Sequence, residues 1–313
     1  MSFSNDVKNE LARIGKQELC CDKAELFGLL RMSGAVILRG KNMGINFSTE
    51  NAALARRILS MLKTSFGLLT EVVVTRSRRL KKNNRYQVRV IPSSKVADTL
   101  RELKIFAIDE KDLGDLLKKN CCKRAFLRGA FMGGGYISRP SADYHLEMVT
   151  ENENFSRMLA KAMKSFGLIA KLTDRKNDFI VYLKEGNAIT SFLSVIGAHG
   201  SLLEFENVRI VKEMRNNVNR IVNCETANLG KTIKAAMEQV RAIKFIEANG
   251  GLEILPVNLI KAARIRLENQ DASLAELVEA MDNEVGKSGI NHRLKKIEKI
   301  ANEMGMKNNE KKQ

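Results

Sequence analysis

Apolar residues along the chain alternate between two spacings, one helical and one strand-like, and the alternation runs through the same cycle twice. Behind a capping candidate, Ser4, the positions Val7, Leu11 and Ile14 predict a short amphipathic helix over 4–14. From Asp22 to Ser33 the residues Ala24, Leu26, Phe27, Leu29, Leu30 and Met32 are apolar nearly all round, so this helix should be buried rather than superficial. Strand patterns follow at 35–38 and 44–47 around the turn Gly40–Asn42. A helix over 51–66 carries Leu54, Ile58, Leu59 and Leu62 on one face, and two more strands stand at 71–74 and 86–90. The cycle then restarts, with a helix to Gly135, strands near 136–138 and 144–148, a helix over 152–166, and strands at 169–172 and 179–182. From 208 to 246 the spacing is purely helical (Val211, Met214, Val218, Ile221, Val222, then Ile233, Ala236, Met237, Val240, Ile243), ending at Asn249-Gly250-Gly251.

The second cycle repeats residues as well as spacing. Cys21, Ala24, Leu26, Gly28 and Gly34 recur as Cys122, Ala125, Leu127, Gly129 and Gly135, each 101 positions on (122 − 21 = 101). Thr49-Glu50-Asn51 matches Thr150-Glu151-Asn152 at that offset, and Ser65-Phe66-Gly67-Leu68 matches Ser165-Phe166-Gly167-Leu168 at 100. Each copy therefore reads helix, two strands, helix, two strands, helix: an α+β unit in tandem with a pseudo-twofold relation. Glycine inside a helix costs about 1 kcal/mol against alanine. The usual compensation is close approach of another backbone, so Gly28 and Gly129 are expected where the two buried helices cross. Gly34 and Gly135 are expected to end those helices as C-terminal caps.

The last module is all-helical. A helix over 258–267 carries Leu259, Ala262, Ala263 and Leu267, and Ser273-Leu274-Ala275-Glu276 is a capping box opening a helix over 274–281. After a short connection, Ile290, Leu294, Ile297 and Ile300 form the inner stripe of another helix. Lys287, Ser288, Asn291, His292, Arg293, Lys295 and Lys296 are expected on its outside. Two short helices with a basic, hydrogen-bonding second one form the pattern of a helix-turn-helix, in which Asn291, His292 and Arg293 would meet base edges and Lys295 and Lys296 phosphates. The expected domains are 1–100 (first repeat with its leading helix), 101–215 (second repeat), 216–250 (linker helix), 251–304 (helix-turn-helix) and 305–313 (disordered tail).

Charge points the same way. Fifty-three Lys and Arg against 36 Asp and Glu leave +17, an excess that attracts polyanions. Double-stranded DNA is the expected partner, with another regulatory protein or the transcription machinery as further candidates. A basic turn in the first repeat, Arg76, Arg78, Arg79, Lys81, Lys82 and Arg85, would add phosphate contacts; its counterpart, Asp174 to Asp178, is nearly neutral. No apolar run of membrane-spanning length and no secretory leader is seen, which predicts a cytoplasmic, nucleoid-associated protein with no membrane partner.

Enzymatic patterns are weak. Asn228-Leu229-Gly230-Lys231-Thr232 ends like a P-loop, yet Glu225 stands where its first glycine belongs. Gly133-Gly134-Gly135 follows a helix instead of a strand. Five cysteines (20, 21, 121, 122, 224) show no CxxC spacing, and four of them, one pair repeated, are read as small buried hydrophobes, with a metal or disulfide role as the alternative. His145, His199 and His292 are too scattered for a zinc site. No metal, cofactor or small-molecule substrate is expected.

Leu26-Phe27-Gly28-Leu29-Leu30-Arg31-Met32-Ser33-Gly34 and Leu127-Arg128-Gly129-Ala130-Phe131-Met132-Gly133-Gly134-Gly135 resemble the LAGLIDADG motif of homing endonucleases. The penultimate residue of that motif is an acid, and the pair of acids holds the divalent ions that cut DNA. Ser33 and Gly134 stand there, so the resemblance implies a fold without cleavage; Glu147 or Glu151 would be the acids of any residual nuclease. With Phe3-Ser4, Val7-Lys8 and Glu10-Leu11, Val222 to Asn228 and Lys287 to Leu294, the whole chain resembles the WhiA family, a degenerate LAGLIDADG double repeat followed by a helix-turn-helix. The resemblance implies a DNA-binding regulator of transcription linked to sporulation, cell division or chromosome segregation, and no catalytic residue. The alternative is a scaffold whose repeats bind protein.

Overall fold

The structure, a computed structural model, describes residues 2–76, 84–107 and 110–306. The chain divides into two compact units, 1–213 and 214–313.

In the first unit, α1 (Phe3–Leu11) leads into α2 (Leu19–Ser33), the hairpin β1 (Gly34–Arg39) and β2 (Asn42–Thr49), α3 (Ala52–Thr64), β3 (Thr70–Arg76), β4 (Asn84–Ser93) and α4 (Ser94–Glu102). The cycle repeats as α5 (Asn120–Gly134), β5 (Gly135–Ile137), β6 (Leu146–Thr150), α6 (Glu153–Lys164), β7 (Lys171–Arg175), β8 (Asp178–Leu183) and α7 (Gly186–Ile196). Both sheets are antiparallel with one strand order, β1-β2-β4-β3 and β5-β6-β8-β7. This is the α+β tandem repeat that the spacing predicts.

The repeated short motifs prove to be repeated hardware. The Asn51 side chain accepts from Leu54 N–H at 2.9 Å and Asn152 from Phe155 N–H at 2.8 Å, capping α3 and α6, while Thr49 and Thr150 hydroxyls accept from the two asparagine N–H groups. A lost cap of this type costs about 1 kcal/mol. At the other end of the same helices Gly67 (φ 58°) and Gly167 (φ 78°) take the left-handed conformation that lets Leu68 and Leu168 N–H reach back to Leu62 and Met163 carbonyls.

Gly34 and Gly135 end the two helices as expected, but not by the left-handed route of a usual glycine cap. Their φ angles are −93° and −79°, in the extended region, and each already opens a strand. A side chain there would strike Leu30 or Phe131 one turn back, so these glycines permit an abrupt helix-to-strand change without a left-handed residue.

The centre of the unit is the α2–α5 pair. A Cβ on Gly28 would sit 2.5 Å from the Phe126 carbonyl oxygen, one on Gly129 would collide with the Glu25 carbonyl, and one on Gly133 would meet Met32 at 2.7 Å. Around this crossing the two copies differ. Positions 25 and 27 are Glu and Phe, and their equivalents 126 and 128 are Phe and Arg. One side of the crossing is thus aromatic, with Phe27 and Phe126 rings 5.7 Å apart and Phe155 edge-on to Phe126. The other side is ionic: Glu25, fully buried, accepts from Arg128 Nε at 2.9 Å and from two nitrogens of Arg57. Burial alone would raise the Glu25 carboxyl, but hydrogen bonding from Arg57 and the charges of Arg128 and Arg57 outweigh it and hold its pKa below the ordinary value.

The helix α8 runs His199–Ala248, starting nine residues before the 208 that periodicity suggests. The reason is a cap from far away in sequence. Glu10 of α1 accepts from Gly200 N–H at 2.7 Å, and from Ser201 N–H at 2.8 Å and Ser201 Oγ–H at 2.6 Å, placing a carboxylate on a helix N-terminus. Along its middle Met214, Val218, Ile221 and Val222 are exposed.

In the second unit the end of α8 (Ala242, Ile243, Ile246) shares a core with α9 (Val257–Glu268), α10 (Leu274–Glu279) and α11 (Lys287–Glu303). Arg266, 2% exposed, donates to the carbonyls of Asn269 (3.2 Å) and Ala272 (2.6 Å), so a buried guanidinium ties down the loop into α10. The Ser273–Glu276 capping box forms as predicted.

Candidate nucleic-acid interface

The turn between α10 and α11 is built by Asp282 and Asn283, both left-handed (φ 55° and 58°). Asn and Asp tolerate that region better than other side chains, and two in succession reverse the chain tightly. Lys261 on α9 donates to Glu284 at 2.6 Å and fastens the turn; this bond and the lysine charge hold the Glu284 carboxyl below its ordinary value.

Ile290, Leu294, Ile297 and Ala301 are the buried stripe of α11, each 1% exposed or less. That stripe fixes the phase of the helix. Ser288, His292, Lys295 and Lys299 recur at helical spacing on the opposite side and are exposed, with Lys296 beside them. Lys287 is exposed in the first turn. Asn291 and Arg293 are half-buried on the two flanks. The seven expected residues are thus together on one helix, with His292, Lys295 and Lys296 outermost and two intended base readers at the margins. Lys299, absent from the expected set, extends the outer row by a turn; the i, i+4, i+7, i+11 spacing of Ser288, His292, Lys295 and Lys299 was the available signal.

In the first unit, one face of each sheet is covered by helices and the other is open. On the first sheet the register puts Arg85 opposite Thr75, Gln87 opposite Ser48 and Val73, and Arg89 opposite Asn46 and Glu71, all on the open face. Arg85 donates to Ser48 Oγ at 2.7 Å and Arg89 to Gln87 at 2.5 Å. Of the expected basic turn, Arg76 ends β3 and Arg85 lies on β4; Arg78, Arg79, Lys81 and Lys82 lie outside the described residues. The second sheet presents Tyr136, Glu147, Tyr182, Lys171 and Arg175, and its β7–β8 turn is the two-residue Lys176-Asn177, both at positive φ. Its open face is mixed in charge where the first is basic.

At the C-terminal ends of α2 and α5, Ser33 Oγ donates to the Leu29 carbonyl of its own helix at 3.1 Å, and Gly134 has Met32 and the Val149 carbonyl as neighbours. No carboxylate stands at either position. Glu147 is taken up by His145 at 2.8 Å, and Glu151 lines an open cleft with Arg31, Asn152 and Asp178.

The opposite ends of the same two helices hold what sequence reasoning underrated. Cys20, Cys21, Cys121 and Cys122 come together with every sulfur within 4.8 Å of the others. Only Cys21 and Cys122 are buried; Cys20 is half-buried and Cys121 exposed, so the reading as four small buried hydrophobes holds for two of them.

Among known proteins, descriptions of WhiA domains match the chain in three places: the WhiA N-terminal LAGLIDADG-like domain over residues 19–106, the WhiA LAGLIDADG-like domain over 123–215, and the WhiA C-terminal HTH domain over 218–301. A "Probable cell division protein WhiA" of Alkaliphilus metalliredigens is 47% identical over 309 residues, covering 96% of this chain and 98% of that protein. Its namesake in Clostridium botulinum is 46% identical over 314 residues, with 97% and 99% covered. Among solved structures, full-length "DUF199/WhiA from Thermatoga maritima" is similar with a TM-score of 0.60 at 28% identity, covering 97% of this chain and 99% of that one.

Proposed function

We propose that this chain, which belongs to the WhiA family, is a sequence-preferring DNA-binding regulator of transcription that acts in cell division, sporulation or chromosome segregation, and that its LAGLIDADG-like unit does not cut DNA. The observation that carries the first half is the outward row of α11. It sets hydroxyl, imidazole and ammonium groups along one helix edge, with its hydrophobic stripe locked below, which is the chemistry a helix needs to lie in a major groove. Curated relatives of the chain carry the name of a probable cell division protein, which supports the biological setting. Among the described residues no helix is long and apolar enough to cross a membrane, and we assign the protein to the nucleoid. We divide the chain into a first repeat (1–100), a second repeat (101–215), a linker helix (216–250) whose last turns join the core of the next module, and the helix-turn-helix (251–304).

His292 and Ser288 are assigned to base edges, Lys295, Lys296, Lys299 and Lys287 to phosphates, and Asn291 and Arg293 to the rims of the contact. The open face of the first sheet, through Arg85 and Arg89, supplies further phosphate contacts. The test is a gel-shift with full-length protein on a duplex selected from a random-sequence pool. His292→Ala with Lys295→Ala is expected to weaken binding about tenfold or more and to lower the salt dependence by about one counterion for the lost phosphate contact. Unchanged binding overturns the assignment. For the second half, Ser33 and Gly134 offer a hydroxyl and a hydrogen where two carboxylates would be needed to hold metal. Plasmid DNA incubated with the protein and magnesium or manganese is expected to stay intact, and cutting that a chelator stops would refute this.

A further inference from the structure

We propose that Cys20, Cys21, Cys121 and Cys122 form a binding site for one zinc ion, closing the N-terminal ends of α2 and α5 over each other. The site is assembled by the pseudo-twofold arrangement. Each helix contributes an adjacent pair of cysteines in its first turn, and equivalent positions beside the axis of a symmetric helix pair must meet.

The geometry selects the ligand. A tetrahedral zinc site made of four cysteine thiolates has Zn–S distances of about 2.3 Å, which separates its sulfurs by about 3.8 Å. Cys121 and Cys122 sulfurs are 4.0 Å apart, and no pair of the four exceeds 4.8 Å. Each pair of sulfurs is thus within about 1 Å of the separation that coordination requires. An iron–sulfur cluster places iron and inorganic sulfide between the thiolates and needs them spread more widely. Hard cations such as magnesium and calcium take oxygen ligands and are excluded by the donor set.

The surroundings suit an anionic thiolate cluster. Neither helix start carries a side-chain cap, so the positive ends of two helix dipoles converge on the sulfurs. Lys119 and Lys123 flank the second pair in sequence, against the two net negative charges of a zinc tetrathiolate, while the first pair lies between Glu18 and Asp22 and Lys23 beside it is paired with Glu102. As thiols the four share their protons unevenly. Burial, with hydrogen bonding and charge from neighbouring sulfurs, pushes Cys21 up and Cys122 up to about 12, whereas Cys121 is drawn down because hydrogen bonds from Cys21 and Cys122 outweigh its desolvation. The exposed Cys121 and half-buried Cys20 give the ion a way in from solvent. Binding exchanges four thiol protons for one divalent ion, and no electron is transferred. Cys224 stands alone and exposed in the second unit and takes no part.

The test uses the full-length protein, expressed with zinc and purified under reducing conditions without chelator. Elemental analysis should give about one zinc per chain, and cobalt(II) added after chelation should give thiolate-to-cobalt charge-transfer bands together with the visible bands of a tetrahedral ion. Cys20→Ser with Cys121→Ser, the two less buried positions, should lose both signals, while Cys224→Ser should keep them. Should the double variant fail to fold, alkylation of the wild type decides. With zinc bound, the exposed Cys121 and half-buried Cys20 should label slowly beside a fast Cys224, and a chelator should make these two label fast, while the buried Cys21 and Cys122 stay slow in either state. Wild-type protein with neither metal nor cobalt–thiolate absorption overturns the proposal, as do disulfides in the reduced-purified chain or the broad brown absorption of an iron–sulfur cluster.

Discussion

The two ends of the α2–α5 pair have become chemically opposite. At the C-terminal ends, where the homing-endonuclease motif would put two acids, stand a serine bonded within its own helix and a glycine packed on Met32. At the N-terminal ends four sulfurs converge closely enough to share one metal ion. Between them the crossing is held by backbone contact at glycines, an aromatic cluster and one buried carboxylate with two arginines. The middle keeps the fold, and the ends are free to gain or lose chemistry. A fold of this kind confers no function by itself; side chains at particular positions do.

The comparison can be broken first at its middle. Glu25→Ala leaves Arg57 and Arg128 facing each other without an anion, and breaking a buried pair in this way costs about 3–5 kcal/mol; urea unfolding of the full chain should register it in the first unit. The same carboxylate gives a pH signature. Its folded pKa lies below the ordinary carboxylate value, so its contribution to stability is complete above about pH 4.3 and is lost as pH falls through the lower folded value. Glu25→Gln should flatten the acid limb of the stability curve. Gly129→Ala is next. A methyl group there strikes the Glu25 carbonyl, backbone that cannot rotate away, and overpacking of that kind costs about 1–3 kcal/mol. The smallest effect is expected at the C-terminal ends, where Ser33 and Gly134 stand. Ser33→Ala removes only a hydroxyl bonded to its own helix, so stability should change by no more than about 0.5 kcal/mol and DNA affinity not at all, as gel-shift measurements can check. A large change in affinity there would mean that the C-terminal ends still carry function.

How much of this was readable from sequence follows from the range of each interaction. The Thr-Glu-Asn and Ser-Phe-Gly-Leu motifs act locally, as cap and terminator of one helix, and so are visible in the sequence. The capping box at Ser273 and the inner stripe of α11 are local for the same reason. Glu25 and Arg128 look like ordinary surface charges in a sequence, and their burial becomes apparent only when two helices about 100 residues apart are packed. Glu10 reaches α8 across 190 positions, and periodicity cannot announce that contact. The cysteines are an intermediate case. Their lack of CxxC spacing hid them from a motif search, yet their recurrence at equivalent positions of two helices expected to pair about an axis was sufficient to bring them together. On α11 the expected outer face was drawn wide, taking in Asn291 and Arg293, which are half-buried on its flanks, and it stopped one turn short of Lys299.

The exchange of Glu25 and Phe27 for Phe126 and Arg128 has a further consequence. Two copies of the first repeat facing each other would set each Glu25 against a Phe27, and two copies of the second would bury two Arg128 guanidinium groups with no carboxylate. Glu25 would keep only Arg57 of its own repeat in the first case, so each half is better matched to the other than to itself. The duplication is now a lock and its key on one polypeptide, so fragments of this chain should reassemble as unlike pairs in preference to like ones.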